Sequence, residues 1–268
     1  WYVGCGIYRS MWLHMASTVS VAPHGIRAVT AALDGSSAVV EVSTALTGTA
    51  DSVTYELADA EGQVLATAEG LGTVQLAANG ITPWTPETPA LYTLRVNVTA
   101  NGTADTAEQR IGIRTIQVSS KTGLLLNGQP RTMKGGCIHH DLGILGAADH
   151  AAAERRRIRL MKESGFDAIR AAHNPFGPAF LDACDELGML VVEEAFDEWV
   201  MGRTSFGLHV TFEQCWEKDL EDMITRDYNH PCIVMWSTGN EVEERDGTAD
   251  GFAWAKRLAN KVRSLDAS

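Results

Sequence analysis

The chain changes its grammar once, and that change limits what it can fold into. Up to about residue 119 the apolar residues fall in short β-branched runs separated by Gly, Asp and Asn. Beyond it, strand-length apolar runs alternate with helical ones. The first pattern predicts a β-sandwich, with strands at 19–21, 26–31, 38–44, 53–58, 64–68, 74–76, 91–99 and 106–113. Alternation is clearest over 91–98, where Tyr92, Leu94, Val96 and Val98 share one face, which predicts that the even-numbered face is buried.

Asn127-Gly128 suits a two-residue primed hairpin turn. After it, strands are predicted at 132–138, 168–172, 190–194 and 233–237, and helices at 149–164, 178–187, from Thr211 to the His230-Pro231 stop, and at 249–265. Gly165 and Gly188 stand where left-handed caps end two of these helices, Pro178 stands in a first turn, and Thr211 with Gln214 spells a capping box. Four strand–helix units with strands apolar on both faces make half of an eight-stranded (β/α)8 barrel, whose full form needs about 250 residues.

Composition removes several function classes. Twenty-two Lys and Arg face 34 Asp and Glu, a net charge of -12, and no basic run offers a phosphate track, so nucleic acid is not an expected partner. No apolar stretch reaches the ~20 residues of a membrane helix, so no membrane partner is expected either. Cys5, Cys137, Cys184, Cys215 and Cys232 stand singly, without a CxxC pair for metal or redox work. An odd, unpaired set suits a reducing compartment, and the expected location is cytoplasmic. Sequons at Asn97 and Asn101 read as chance in a Thr-rich strand region.

In such a barrel, function gathers where strands end at their C-terminal side. There the sequence places His139, His140 and Asp141, then His173 and Asn174, then Glu193, Glu194, Asp197 and Glu198, then Asn240 and Glu241. Acids, amides and imidazoles without a Gly-rich phosphate loop favour a neutral polyhydroxylated ligand. Ile233 to Glu241 is an apolar strand ending in Asn-Glu, and a carboxylic acid there can protonate a leaving glycosidic oxygen. The same dipeptide can instead cap the helix that follows.

The motifs resemble glycoside hydrolase family 2, which holds β-galactosidases, β-glucuronidases and β-mannosidases. Gly6-Ile-Tyr-Arg9 resembles the end of the family's jelly-roll domain, and Trp84 to Tyr92 with Gly112-Ile-Arg114 resembles the close of its immunoglobulin-like domain. Lys134 to Asp141, Ile169 to Pro175, Cys184 to Ala195 and Asn229-His-Pro through Asn240-Glu241 resemble its barrel motifs, in order. The resemblance implies the end of a jelly-roll at 1–18, an immunoglobulin-like β-sandwich at 19–118 and the first half of a (β/α)8 TIM barrel at 119–268.

It further implies a retaining β-glycosidase with a carbohydrate substrate, and a homo-oligomer is compatible with it. Glu241 becomes the general acid/base, Asn240 a contact to the sugar 2-hydroxyl, and His139, His173 and Asp197 polar contacts to the sugar. The competing reading of the histidines is that of structural groups, and Asp197 reads equally as a cap or ion-pair partner. Glu193 and Glu194 read as buttresses bonded to Arg170 or neighbouring strands. Trp199 and Trp236 read as sugar platform or as core. Metal-dependent galactosidases of the family place a Glu and a His after the third strand; here Glu198 keeps the acid, but Val200 replaces the His, so neither metal nor other cofactor is expected.

The family's nucleophile follows the seventh strand, and this chain reaches the fourth. The expected activity is that of a β-galactosidase acting by double displacement, with the fragment inactive alone. The alternatives are a β-glucuronidase, a β-mannosidase or a non-catalytic carbohydrate-binding module.

Overall fold

The structure is a computed structural model that describes residues 6–266. The described residues pack as two units, one holding Met11–Thr132 with Asn229–Pro231, the other residues 6–10, Met133–Tyr228 and residues 232–266. The Trp1–Cys5 part of the expected jelly-roll segment lies outside the described residues, and residues 6–18 carry no regular element before Ser20.

The all-β unit carries β1 (Ser20–Asp34), β2 (Ser37–Thr47), β3 (Ser52–Ala58), β4 (Val64–Glu69), β5 (Val74–Asn79), β6 (Tyr92–Ala100), β7 (Thr103–Ile111), β8 (Ile116–Ser119), β9 (Gly123–Leu126) and β10 (Gln129–Pro130). Two antiparallel sheets, β1-β2-β5 and β4-β3-β6-β7, share a core of Val40, Val42, Val53, Tyr55, Leu57, Leu76, Leu94 and Val96. On β6, Tyr92, Leu94, Val96 and Val98 are buried, as the alternation predicts. The Tyr92 hydroxyl accepts from the Thr82 amide at 2.7 Å. The predicted strands 19–21 and 26–31 are one strand, because a register break between Val21 and Ile26 absorbs the extra residues that Pro23 and Gly25 supply.

Asn127 (φ 52°) and Gly128 (φ 73°) turn β9 into β10, both residues on the positive-φ side that a primed turn requires. Asn127 also ties the unit together, accepting from the Thr115 amide at 2.9 Å and donating to the Trp84 carbonyl at 3.1 Å. Gly112 lies against Pro231. A Cβ added there would lie 2.5 Å from Pro231 Cγ and 3.0 Å from Trp84 Cδ1. Arg114 Nε donates to the Pro231 carbonyl, and Asn229 bonds the Ile26 carbonyl and the Ala28 amide. The Gly-Ile-Arg and Asn-His-Pro motifs thus serve packing in this unit.

The α/β unit follows as β11 (Gly135–Ile138), α1 (Ala151–Glu163), β12 (Ala168–Ala171), α2 (Pro178–Leu187), β13 (Leu190–Glu194), α3 (Phe212–Asp227), β14 (Ile233–Ser237) and α4 (Gly251–Leu265). Its strands pair in parallel, in the order β11-β12-β13-β14. The inner strands are buried, while Cys137 on β11 and Met235 on β14 are exposed, as edge positions of an open sheet are. Gly188 closes α2 in the left-handed conformation at φ 72° and donates its amide to the Cys184 carbonyl. The capping box at Thr211 does not form. A short 3-10 turn at Leu208–Val210 precedes α3, and the Thr211 hydroxyl faces the Leu208 carbonyl instead of a helical amide.

Gly112→Ala is expected to lower the stability of the all-β unit by about 1–3 kcal/mol, the cost of forcing an extra methyl into a packed site. A thermal melt followed by near-ultraviolet circular dichroism reads this, and an unchanged transition would contradict the packing described.

Candidate active site at the strand ends

One buried carboxylate organises the C-terminal end of the parallel sheet. Glu194, at the end of β13, has a side chain with no exposed surface. It accepts from Arg170 of β12 through Nε at 3.1 Å and Nη2 at 2.8–2.9 Å, from the Ser237 hydroxyl of β14 at 2.7 Å, and pairs with His173 Nδ1 at 3.0 Å. Three neighbouring segments are thereby fixed to one side chain. Its neighbour Glu193 points the other way in the strand's alternation and accepts from the Phe176 amide at 2.8 Å. Both acids are buttresses.

From Arg170 the bonding runs outward. Its Nη2 donates to Asn240 Oδ1 at 2.8 Å, and Asn240 Nδ2 donates to Asp197 Oδ1 at 2.9 Å. The Asn240 amide is thus fixed in rotation, with its backbone N–H bonded to the Phe196 carbonyl at 3.1 Å. Asp197 forms an ion pair with Arg203 Nη2 at 2.7 Å. Arg203 also brings Nη1 to 3.7 Å from Glu241 Oε2. The sequence offers no period or motif that singles out Arg203, which stands in an irregular Gly/Ser/Thr loop.

Glu241 itself stands open. Its side chain is 79% exposed, and its backbone holds φ 43°, the left-handed region that non-glycine residues enter at a cost of about 1–3 kcal/mol. It does not serve as a helix cap. The 3-10 turn that follows begins after Val242 and has no side-chain cap. The carboxyl is thus held clear of the sheet, next to a fixed amide.

Across the site, His139 Nε2 lies 3.3 Å from His173 Nε2, and the Ala172–His173 peptide is cis. Burial, together with the neighbouring His173 ring, holds the His139 imidazole below its ordinary pKa. Trp199 and Trp236 are core rather than platform. Trp199 is buried with its Nε1 bonded to the Thr238 carbonyl at 2.8 Å, and Trp236 packs on the same cluster with its Nε1 on Asp266 at 2.7 Å.

Glu198 shapes the loop that carries Arg203. It accepts from the amides of Arg203 and His209, both at 3.1 Å, and from His209 Nδ1 at 3.2 Å. It also lies against Gly207, where a Cβ would collide with its carboxylate. Burial pushes the Glu198 carboxyl up, but the two amides and the imidazole outweigh it and hold it below the ordinary carboxylate range. With its oxygens engaged in this way and Val200 offering no donor, the pair does not fit a magnesium ion.

The chain is similar to known proteins over nearly all of its length. Residues 19–114 match the family model described as glycosyl hydrolases family 2, and residues 116–268 match that family's TIM barrel domain. The chain is 39% identical over 98% of its length to beta-galactosidase BoGH2A of Bacteroides ovatus, and 33% identical over 96% to a putative beta-glucuronidase of Formosa agariphila. It spans 33% and 26% of those two proteins. Among solved structures it is similar to a glycosyl hydrolase family 2 member from Bacteroides cellulosilyticus, with TM-score 0.93 and 35% identity. That likeness covers 99% of this chain and 36% of that one. It is also similar to a beta-D-glucuronidase of Dictyoglomus thermophilum, with TM-score 0.79 and 26% identity, over 93% and 43% of the two chains.

Because Glu198 titrates below the ordinary range when folded, the order it confers is complete above that range and is lost as pH falls through its folded value. Glu198→Gln at neutral pH is expected to speed hydrogen exchange of the Arg203 and His209 amides roughly ten-fold or more, given bonds to a charged acceptor of about 1.5–3 kcal/mol. Unaltered exchange at both amides would remove Glu198 from this role.

Proposed function

We propose, since this chain belongs to glycosyl hydrolase family 2, that it carries the acid/base half of a retaining β-glycosidase active site. The observation that supports this is Glu241 standing open at the end of β14, beside an Asn240 amide whose rotation Arg170 and Asp197 both fix. In this reading Glu241 protonates the glycosidic oxygen as the bond to the leaving group breaks, then takes a proton from the water that attacks the glycosyl-enzyme. Asn240 bonds the sugar 2-hydroxyl, His139 and His173 bond further hydroxyls, and Asp197 holds Asn240 while offering the sugar its remaining oxygen.

Double displacement needs a second carboxylate ~5 Å away on the far side of the sugar. Among the described residues Glu193 and Glu194 are engaged in the buttress, so the reading assigns the nucleophile to the part of the family fold outside these 268 residues. A terminal β-galactoside is the proposed substrate, supported by the likeness to BoGH2A. A β-glucuronide is the second reading, supported by the likenesses to the Formosa and Dictyoglomus proteins. None of the described helices is long and apolar enough to cross a membrane. The free thiols of Cys137, Cys184, Cys215 and Cys232 support a reducing, cytoplasmic setting.

Nitrophenyl β-galactoside, glucuronide, mannoside and glucoside, offered to this chain and to a longer chain completing the barrel, test the assignment. Turnover is expected only in the longer chain, fastest on the galactoside; turnover by these 268 residues alone would overturn the divided site.

In the longer chain, Glu241→Ala is expected to slow substrates with poor leaving groups about 10²–10⁴-fold, the range for general acid catalysis. Activated aryl substrates should suffer far less, and azide should restore turnover. Equal losses on both substrate types without rescue would remove Glu241 from the acid/base role.

A further inference from the structure

Arg203 is tied to its surroundings through backbone and side chain. Its amide donates to Glu198 Oε2 at 3.1 Å. Its Nη2 meets the Asp197 carboxylate at 2.7 Å and donates to the Asp197 carbonyl. Its other terminal nitrogen, Nη1, faces Glu241 Oε2 at 3.7 Å. The guanidinium therefore lies between the acid bonded to the Asn240 amide and the carboxyl that stands open.

The loops that bring Arg203 and Glu241 together are themselves linked. The Met201 amide, two residues before Arg203, donates to the buried Glu244, three residues after Glu241. The Thr248 hydroxyl faces Met201 Sδ at 3.6 Å. Arg245 Nη1 donates to the Glu241 carbonyl at 3.4 Å and the Val242 carbonyl at 3.0 Å, which secures the backbone where φ is positive. The backbone of Glu241 is thus held, and among the described residues its carboxyl forms its ion pair with Arg203. An exposed ion pair is ordinarily weak, because two long side chains must be ordered together. Here Asp197 has already ordered one of them, and the planar fork offers one nitrogen to each acid. A lysine has a single nitrogen for both.

We propose that Arg203 positions the acid/base group, holding Glu241 Oε2 so that Oε1 is the oxygen that carries the proton. This rests on the role given to Glu241 under the proposed function. A guanidinium only donates, and a carboxyl accepts through its unprotonated oxygen in either ionisation state, so the contact persists through both half-reactions. In the first, the proton passes from Oε1 to the glycosidic oxygen, which keeps the electron pair of its breaking bond as the nucleophilic carboxylate bonds the anomeric carbon. In the second, a water oxygen bonds that carbon, the pair of the ester bond returns to the nucleophile, and Oε1 takes the proton from the water. Arg203 acts through Glu241 and is a positioning residue.

Arg203→Ala and Arg203→Lys in the longer chain completing the barrel test this, on β-glycosides of whichever sugar the unaltered enzyme turns over. With alkyl leaving groups, which need the proton, both variants are expected to lower kcat/KM about 10–10²-fold, part of the 10²–10⁴-fold that general acid catalysis supplies. With dinitrophenyl leaving groups kcat/KM should hold while kcat and KM fall together, because the glycosyl-enzyme accumulates. Guanidinium chloride at millimolar concentration should restore part of the loss in Arg203→Ala, and sodium chloride at equal ionic strength none of it. A lysine variant as fast as the unaltered enzyme would show that charge alone suffices and would overturn the positioning role, as would equal losses on both leaving groups without rescue. Glu241→Ala separates the two readings. If its loss does not depend on the leaving group, the acid/base assignment fails and this inference with it; if it does and the Arg203 variants do not share the pattern, this inference alone fails.

Discussion

The ion pair between Glu194 and Arg170 is the interaction on which the rest of the site depends. A carboxylate with no exposed surface is costly to bury unless every lone pair is engaged, and here a guanidinium, a hydroxyl and an imidazole engage it together. Removing one partner of such a buried pair typically costs about 3–5 kcal/mol, because the remaining charge is left without compensation. The consequence is positional as well as energetic. Arg170 sits on β12, Glu194 on β13 and Ser237 on β14, so the pair sets how three strand ends stand relative to one another. Asn240 takes its orientation from the same guanidinium, and Asp197 is bonded to Asn240 in turn.

Much of this is legible in the amino-acid sequence. The two-residue period of β6 and the apolar runs of β12 and β13 reflect burial on one face and on two, and side-chain hydrophobicity reports burial directly. Polar residues that follow such runs fall at one end of a parallel sheet by topology alone, which is why Asn240, Glu241, His139 and His173 can be named from sequence. The buttress role of Glu194 follows similarly, since an acid ending a buried strand needs a cation, and Arg170 stands in the adjacent strand.

The features that sequence leaves hidden have a common origin. Arg203 is placed by an irregular loop whose path depends on Glu198 collecting two amides and an imidazole from residues further along, and no periodicity encodes that capture. The Thr211 capping box does not form because Thr211 also closes the preceding 3-10 turn, with ψ -1° instead of the extended backbone that aims a cap oxygen at the helical amides. The break in β1 escaped for the same reason, since a bulge is decided by the partner strand. Trp199 and Trp236 were ambiguous because an indole suits a sugar face and a hydrophobic core equally well, and only their Nε1 partners distinguish the two.

The backbone of Glu241 bears on which residues this position can hold. A left-handed φ suits glycine, and among other residues asparagine or aspartate, so glutamate stands there against the conformational preference of the chain. Glycine or asparagine at this position would relieve that strain without altering the fold around it, so under the proposed function the strained backbone is the cost of presenting a carboxylate clear of the sheet.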